Sequence, residues 1–289
     1  MDERSALAAL AETVGGAGDD AAVIDGLVLT TDMLHERTDF PAGVSRYTAG
    51  WRSIGASLSD VAAMGGAATA AVAAYGAPEF VPEELDAFVD GATDVCEAVD
   101  ARYVGGDLDH HDEFTVAGAV VGRVDDPVYR HGAAPGDGVY VTGTLGRTAA
   151  AIREFEAENA DRGNTLFRFE PRVAAGRALA PVATAMMDSS DGLARSLHQL
   201  AAASDCGFEV SWDRFPVDSS VDAVADGEAD RRELAAFFGE DFELVFTAPD
   251  EEVAAVRASL PVQVTRIGRA IEDGVVADGE PLPDRGYSH

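Results

Sequence analysis

Residues 186–193 read MMDSSDGL, with Asp188 and Asp191 three apart directly behind an apolar run. Ala185, Met186 and Met187 form the core of a short buried strand, and Leu193, Leu197 and Leu200 mark one face of a helix that follows. Carboxylates driven out of a buried strand and into a helix start need something to balance them, because an unpaired buried charge is prohibitively costly. A strand that ends in carboxylates and turns at once into a helix is α/β grammar, and it recurs along the chain.

Four other places repeat it: Gly18-Asp19-Asp20, Thr30-Thr31-Asp32, Ser59-Asp60 and Gly106-Asp107. Thr and Ser hydroxyls beside carboxylates are hard oxygen ligands suited to Mg2+, and no His–Cys cluster competes for a softer metal. Asp60 stands out because it interrupts a segment of small and apolar residues fit to be packed. Each site also has a structural alternative: Asp191 as a helix cap, Asp20 in an ordinary turn. Arg130, ahead of the glycine-rich turn Gly132–Gly138, reads either as a phosphate clamp or as a surface ion pair.

Working outward, residues 27–31 read as a strand ending at Asp32, 47–64 as a helix, 68–75 as a strand and 83–99 as a helix. Residues 114–124 alternate like a sheet strand. A break at Asp125-Asp126-Pro127 divides the chain into 1–125 and 126–289. Beyond it come strands at 139–142, 185–187, 208–212, 243–246 and 262–268, with helices from Arg147 and Leu193. The fold class expected is α/β (α+β), two mixed α/β domains. His110-His111 reads as a solvated loop pair, and Trp51 and Trp212 as core.

The formal charge of −31 argues against nucleic acid or anionic membranes as partners. All 21 basic residues are arginine, which excludes a Walker A lysine, a Schiff base and a phosphate-pairing lysine of the protein-kinase type. Such acidity without lysine points to a salt-rich cell interior, where ionic strength screens self-repulsion. No apolar run is long enough for a membrane helix and Met1 to Leu10 lacks a basic start, so the expected location is the cytoplasm. Cys96 and Cys206 make neither a disulfide framework nor a zinc site.

In order, "GDDAAV", "TTDML", "SLSDVAAMGG", "VGGD", "RHGAAPGDGVYVTGTLG", "PRVAAG", "MDSSDGL" and "GEDFELVFT" resemble the thiamine-monophosphate kinases, of the aminoimidazole-ribonucleotide-synthetase-like superfamily. The likeness runs from Gly18 to Tyr287. It implies N-terminal domains paired in a homodimer, ATP in the cleft between domains, and transfer of its γ-phosphoryl to thiamine monophosphate with several Mg2+ ions. By the resemblance, Asp20, Thr30, Thr31, Asp32, Asp60, Asp107, Asp188 and Asp191 match metal positions. Gly106, Asp107, Arg130 and Ser190 match nucleotide positions, and Glu240 a position near thiamine. Asp188 and Asp191 would face the ATP phosphates, with Asp20, Asp32 and Asp60 toward the acceptor.

Three positions depart from the family pattern, all on the substrate side: Asp39 replaces a histidine, Phe238 replaces a glycine in "GGED", and the tail reads Gly286-Tyr287-Ser288-His289 without a final Phe. Asp39, Glu240 and Tyr287 are therefore the expected substrate contacts. The acceptor phosphate has a second pKa of about 6, so it is mostly a dianion near neutral pH and needs no side-chain base. Direct in-line transfer is expected, without a phosphoenzyme or a catalytic side chain. The rivals are a sister ATP-dependent synthetase of the same superfamily and a non-catalytic ATP- and Mg2+-binding protein.

Overall fold

The computed structural model describes residues 13, 14 and 18–287, so the amino-terminal decapeptide and the final Ser288-His289 lie outside the described residues. The first sheet holds β1 (Ala22–Ile24), β2 (Leu27–His35), β3 (Ala67–Ala77), β4 (Arg102–His110) and β5 (Thr115–Arg123), in the order β1-β2-β5-β3-β4. Asp25 and Gly26 join β1 to β2 with φ of 52° and 75°, the left-handed pair that a two-residue hairpin loop requires. β3 and β4 run parallel, so a crossover is needed, and the helix Pro82–Glu97 supplies it.

The β2 strand continues past the end expected at Thr31. Met33-Leu34-His35 sustain the alternation, so Asp32 sits within the strand. Val28, Thr30 and Leu34 are buried on the helix-covered face, and Asp32 shares that face. Leu27, Leu29, Thr31 and Met33 point the other way and are exposed. With Ile24, Val72 and Val104, which are also exposed, they form an open apolar face.

The helix Arg46–Ala63 starts at Ser45, whose hydroxyl accepts the Thr48 amide at 3.2 Å. Small residues let it bury nearly every side. It lies among the first sheet, the helix Pro82–Glu97, the helix Val173–Leu179 and the strand Ala185–Asp188. A Cβ on Gly91 would collide with the Tyr47 carbonyl, and one on Gly176 with the Ala62 carbonyl. These neighbours therefore touch the helix backbone to backbone.

The second sheet has seven strands: β6 (Gly138–Thr142), β7 (Ala185–Asp188), β8 (Gly207–Val210), β9 (Leu244–Ala248), β10 (Val264–Ile271), β11 (Val275–Ala277) and β12 (Glu280–Pro281). Their order is β12-β11-β8-β10-β6-β9-β7. β6, β7 and β9 are buried at every position, so they read as apolar runs without alternation. β7 is an edge strand that ends at Asp188 and lies against the helix Arg46–Ala63. Both halves are mixed α/β, as the sequence implied. Trp212 opens a short 3-10 turn instead of closing β8, and His110 ends β4 instead of lying in a loop. The His110 ring stacks on Phe80 at 4.6 Å.

Candidate functional site

Four chain segments bring carboxylates to one point. Asp20 precedes β1, Asp32 lies on the inner face of β2, Asp60 is in the last turn of the helix Arg46–Ala63, and Asp188 closes β7. Ligand oxygens of Asp20, Asp60 and Asp188 all lie within 4.8 Å of one another. Ser57, one turn before Asp60, donates to Asp32 Oδ2 at 2.8 Å. The Thr30 hydroxyl donates a short hydrogen bond to Asp60 Oδ2. Asp188 is reached from the first half only because the edge of the second sheet abuts that helix.

Arg130 brings a cation to the cluster. Arg130 donates to both Asp20 oxygens, at 2.9 and 3.3 Å, and its backbone amide donates to Asp19 Oδ1 at 2.8 Å. Burial would lower the Arg130 pKa, but the adjacent Asp20 carboxylate raises it above its usual value. Of the two readings for Arg130, an ion pair is present, and it is at the acidic cluster.

Burial, and after it the charges of Asp32, Asp188 and Asp20, push Asp60 well above the usual carboxylate range. Asp60 as a whole is half-buried. Burial and then Asp20 push Asp188 up to about 7, with Ser59 and Arg130 opposing. Although Ser59 is near enough to act on that charge, Ser59 Oγ and Asp188 Oδ2 are both buried without a hydrogen-bond partner. An orphaned buried oxygen on Asp188, whose carboxylate converges with those of Asp20 and Asp60, is a demand for a cation. The all-oxygen donor set fits Mg2+.

Asp191 and Ser190 occupy the turn after β7. The Ser190 amide donates to Asp188 Oδ1 at 3.3 Å. The helix Leu193–Ser204 starts at Gly192 with no side-chain cap, so Asp191 does not cap it. Thr31 is on the opposite face of β2 from Asp32, and its hydroxyl donates to the Gly118 carbonyl at 2.8 Å. Gly106 and Asp107 lie on β4. Cross-strand pairing aligns Asp32, Gly118, Ala73 and Gly106, which puts β4 three strand spacings, about 14 Å, from β2. Asp107 aligns with Ala74 and Met33 on the open face. Within one chain it is therefore apart from the carboxylate cluster. It and Gly106 instead line a cavity of about 470 Å³ walled by Tyr75, Leu85, Phe88, Val89 and Tyr103.

Asp39, Glu240 and Tyr287 come together beside the turn after β7. Asp39 is buried, and its Oδ2 accepts from the His35 amide at 2.6 Å and the Thr38 hydroxyl at 2.8 Å. The Tyr287 hydroxyl donates to the Thr38 carbonyl at 3.3 Å. Burial, then the Glu240 and Asp39 charges, push Tyr287 up to about 12, with Arg52 opposing. This group rests directly on the turn after β7: the Glu240 amide donates to the Ser190 carbonyl at 2.6 Å, and the Tyr287 amide to the Asp191 carbonyl at 3.0 Å.

Several residues here escaped sequence reasoning. Arg52 is 2% exposed and donates to Glu240 Oε2 at 2.8 Å. Arg172 grips Glu243 through two hydrogen bonds of 2.7 Å. Asp241 accepts the Gly146 and Thr148 amides at the start of the helix Arg147–Glu156. For Arg52 the signal was present, since it is a charged residue inside a packed helix, the same mark that singled out Asp60.

The chain matches the AIR synthase related protein N-terminal domain over residues 18–124 and the corresponding C-terminal domain over 134–278. It is 61% identical to the thiamine-monophosphate kinase of Halobacterium salinarum, with 100% of each chain covered. The thiamine-monophosphate kinase of Methanospirillum hungatei is 40% identical, with 100% of this chain and 99% of the relative covered. The solved structure of AaThiL complexed with AMPPCP and TMP is similar, with a TM-score of 0.91 at 28% identity, covering 100% of this chain and 97% of that one.

Proposed function

Because the chain belongs to the AIR synthase related family, and within it to the thiamine-monophosphate kinases, we propose that its carboxylate cluster is where ATP phosphorylates thiamine monophosphate. The products are ADP and thiamine diphosphate. The observation that carries the reading is the convergence of Asp20, Asp60 and Asp188, with an orphaned Asp188 oxygen, against a second group built from Asp39, Glu240 and Tyr287. AaThiL, at a TM-score of 0.91, binds AMPPCP and TMP.

Asp20, Asp60 and Asp188 would hold Mg2+, with Asp32, Asp191 and Thr30 around them. The chemistry Mg2+ supplies when bound is neutralisation of charge on phosphate oxygens. The residues of the chain do the rest by placement. Arg130, fixed by Asp20, presents its guanidinium beside the cluster. Ser190 and its turn tie the nucleotide side to Glu240 and Tyr287 on the acceptor side. An oxygen of the acceptor dianion forms the new bond to the γ-phosphorus as the bond to ADP breaks, with no proton to remove and no phosphoenzyme. The cavity beside Gly106 and Asp107 has the apolar walls and volume that suit a nucleobase.

The open face of the first sheet is too apolar to remain bare in water, and we assign it to pairing with a second copy. Thr31 and Asp107 both lie on that face, so pairing through it is the arrangement in which they join a shared site. Sedimentation tests this: the chain should run as a dimer and Leu29→Asp as a monomer, whereas a monomeric parent would refute it. Among the described residues no helix is long and apolar enough to cross a membrane. Dependence on ATP assigns the reaction to the cytoplasm.

Incubation with ATP, Mg2+ and thiamine monophosphate should yield thiamine diphosphate and ADP in equal amounts. Failure to form thiamine diphosphate would overturn the assignment, and a trapped aspartyl-phosphate would overturn direct transfer.

A further inference from the structure

Arg52 is the largest charged side chain in the interior and belongs to neither group assigned above. It sits six residues into the helix Arg46–Ala63, 2% exposed. Its guanidinium donates to the Phe167 carbonyl at 2.8 Å, the Glu240 carbonyl at 3.2 Å and Glu240 Oε2 at 2.8 Å. Its guanidinium carbon lies over the Phe167 ring, 3.8 Å from the ring centre. Two turns later the same helix carries Asp60.

The loop it grips is strained. Glu240 and Phe242 take φ of 56° and 54°, left-handed values that side chains of this kind rarely adopt. The Glu240 backbone is pinned on every side: its carbonyl accepts from Arg52 and from the Thr148 hydroxyl at 2.7 Å, and its amide donates to Ser190. Only the carboxylate retains freedom, and Arg52 removes it. Asp39 and Glu240 are thus two buried carboxylates on the acceptor side, with the Arg52 guanidinium bonded to Glu240. Their sign is the one that suits a cationic thiazolium ring.

We infer that Arg52 is a positioning residue for the acceptor side of the site, orienting the Glu240 carboxylate toward the cationic ring of thiamine monophosphate. This rests on the kinase reading above. Arginine suits the place because two separate nitrogens of its planar fork reach the Phe167 carbonyl and Glu240, a spread that the single nitrogen of a lysine ammonium does not cover.

The test is steady-state kinetics on Arg52→Lys, Arg52→Met, Glu240→Gln and the Arg52→Lys/Glu240→Gln double variant, with thermal midpoints recorded for each. The expected result is a KM for thiamine monophosphate raised at least tenfold in each single variant, with KM for ATP within twofold of the parent. The double variant should be no worse than Glu240→Gln alone, because the two act as one unit. If Arg52→Met does not fold, Arg52→Lys and the double variant decide. Equal changes in both KM values, additive effects, or lowered thermal midpoints with unchanged KM values would each overturn the inference. A parent enzyme that makes no thiamine diphosphate would overturn the kinase reading instead, so the two failures are distinguishable.

Discussion

Replacing Asp60 by asparagine should make the metal-free protein more stable while abolishing turnover. Asp60 lies within 4.8 Å of Asp20 and Asp188 at its nearest ligand atoms. At an effective dielectric of about 20, one pair of like charges at that separation repels by about 3.5 kcal/mol. Proton uptake relieves part of this, since Asp60 is pushed well above the usual carboxylate range and Asp188 up to about 7, so the comparison is made at alkaline pH, where the carboxylates are charged. About 2 kcal/mol of relief therefore remains for Asp60→Asn, while the asparagine oxygen still accepts from Thr30. For a chain of this size that corresponds to a midpoint roughly 4–8 °C higher in chelator. The parent should gain about 2.7 kcal/mol when Mg2+ is added at a hundredfold excess over its dissociation constant, and the variant less than a third of that. The assay is thermal unfolding of both proteins, with chelator and with Mg2+, at fixed high salt so that ionic strength does not change. An Asp60→Asn protein that melts lower than the parent in chelator, or that responds equally to Mg2+, would refute the reasoning.

Two further outcomes are expected. Burial pushes Asp241 up to about 7, against the opposing amides of Thr148 and Gly146. Its folded value lies above the ordinary 3.8, so its contribution is fully present below pH 3.8 and is lost as pH rises through about 7, a swing of roughly 4 kcal/mol. Asp241→Asn should therefore flatten the fall of the thermal midpoint between pH 5 and 8 relative to the parent, and parallel curves would contradict this. Gly176→Ala would force a methyl into the Ala62 carbonyl, so the midpoint should fall by an amount equivalent to about 1–3 kcal/mol. The Mg2+-dependent gain should shrink with it, because the helix end that carries Asp60 is displaced.

Asp60 and Asp188 were legible because a carboxylate among packed residues is anomalous on composition alone. Arg52 bore the same mark on the same helix, but its partners lie 115 and 188 residues away, and no local pattern announces them. The end of β2 was misplaced because an aspartate was read as a terminator, although the alternation of Met33-Leu34-His35 continues beyond it. Alternation along β2 already sets Thr31 opposite Thr30 and Asp32, whereas the face that Asp107 shares with β2 residues depends on pairing register across four strands, which spacing along one strand does not encode. The family resemblance supplied both residues as ligands without saying which face each would occupy.

The backbone contacts around the helix Arg46–Ala63 bear on how the protein behaves in brine. Exposed pairs such as Arg232–Glu228 and Arg285–Glu233 lose most of their attraction in molar electrolyte, where the Debye length is about 3 Å. Repulsion between a carbonyl and a methylene has no such range and cannot be shielded. The spacing between Asp60, Arg52 and their neighbours is consequently indifferent to osmotic change, while the acidic exterior is free to exchange counter-ions as the surroundings dilute or concentrate.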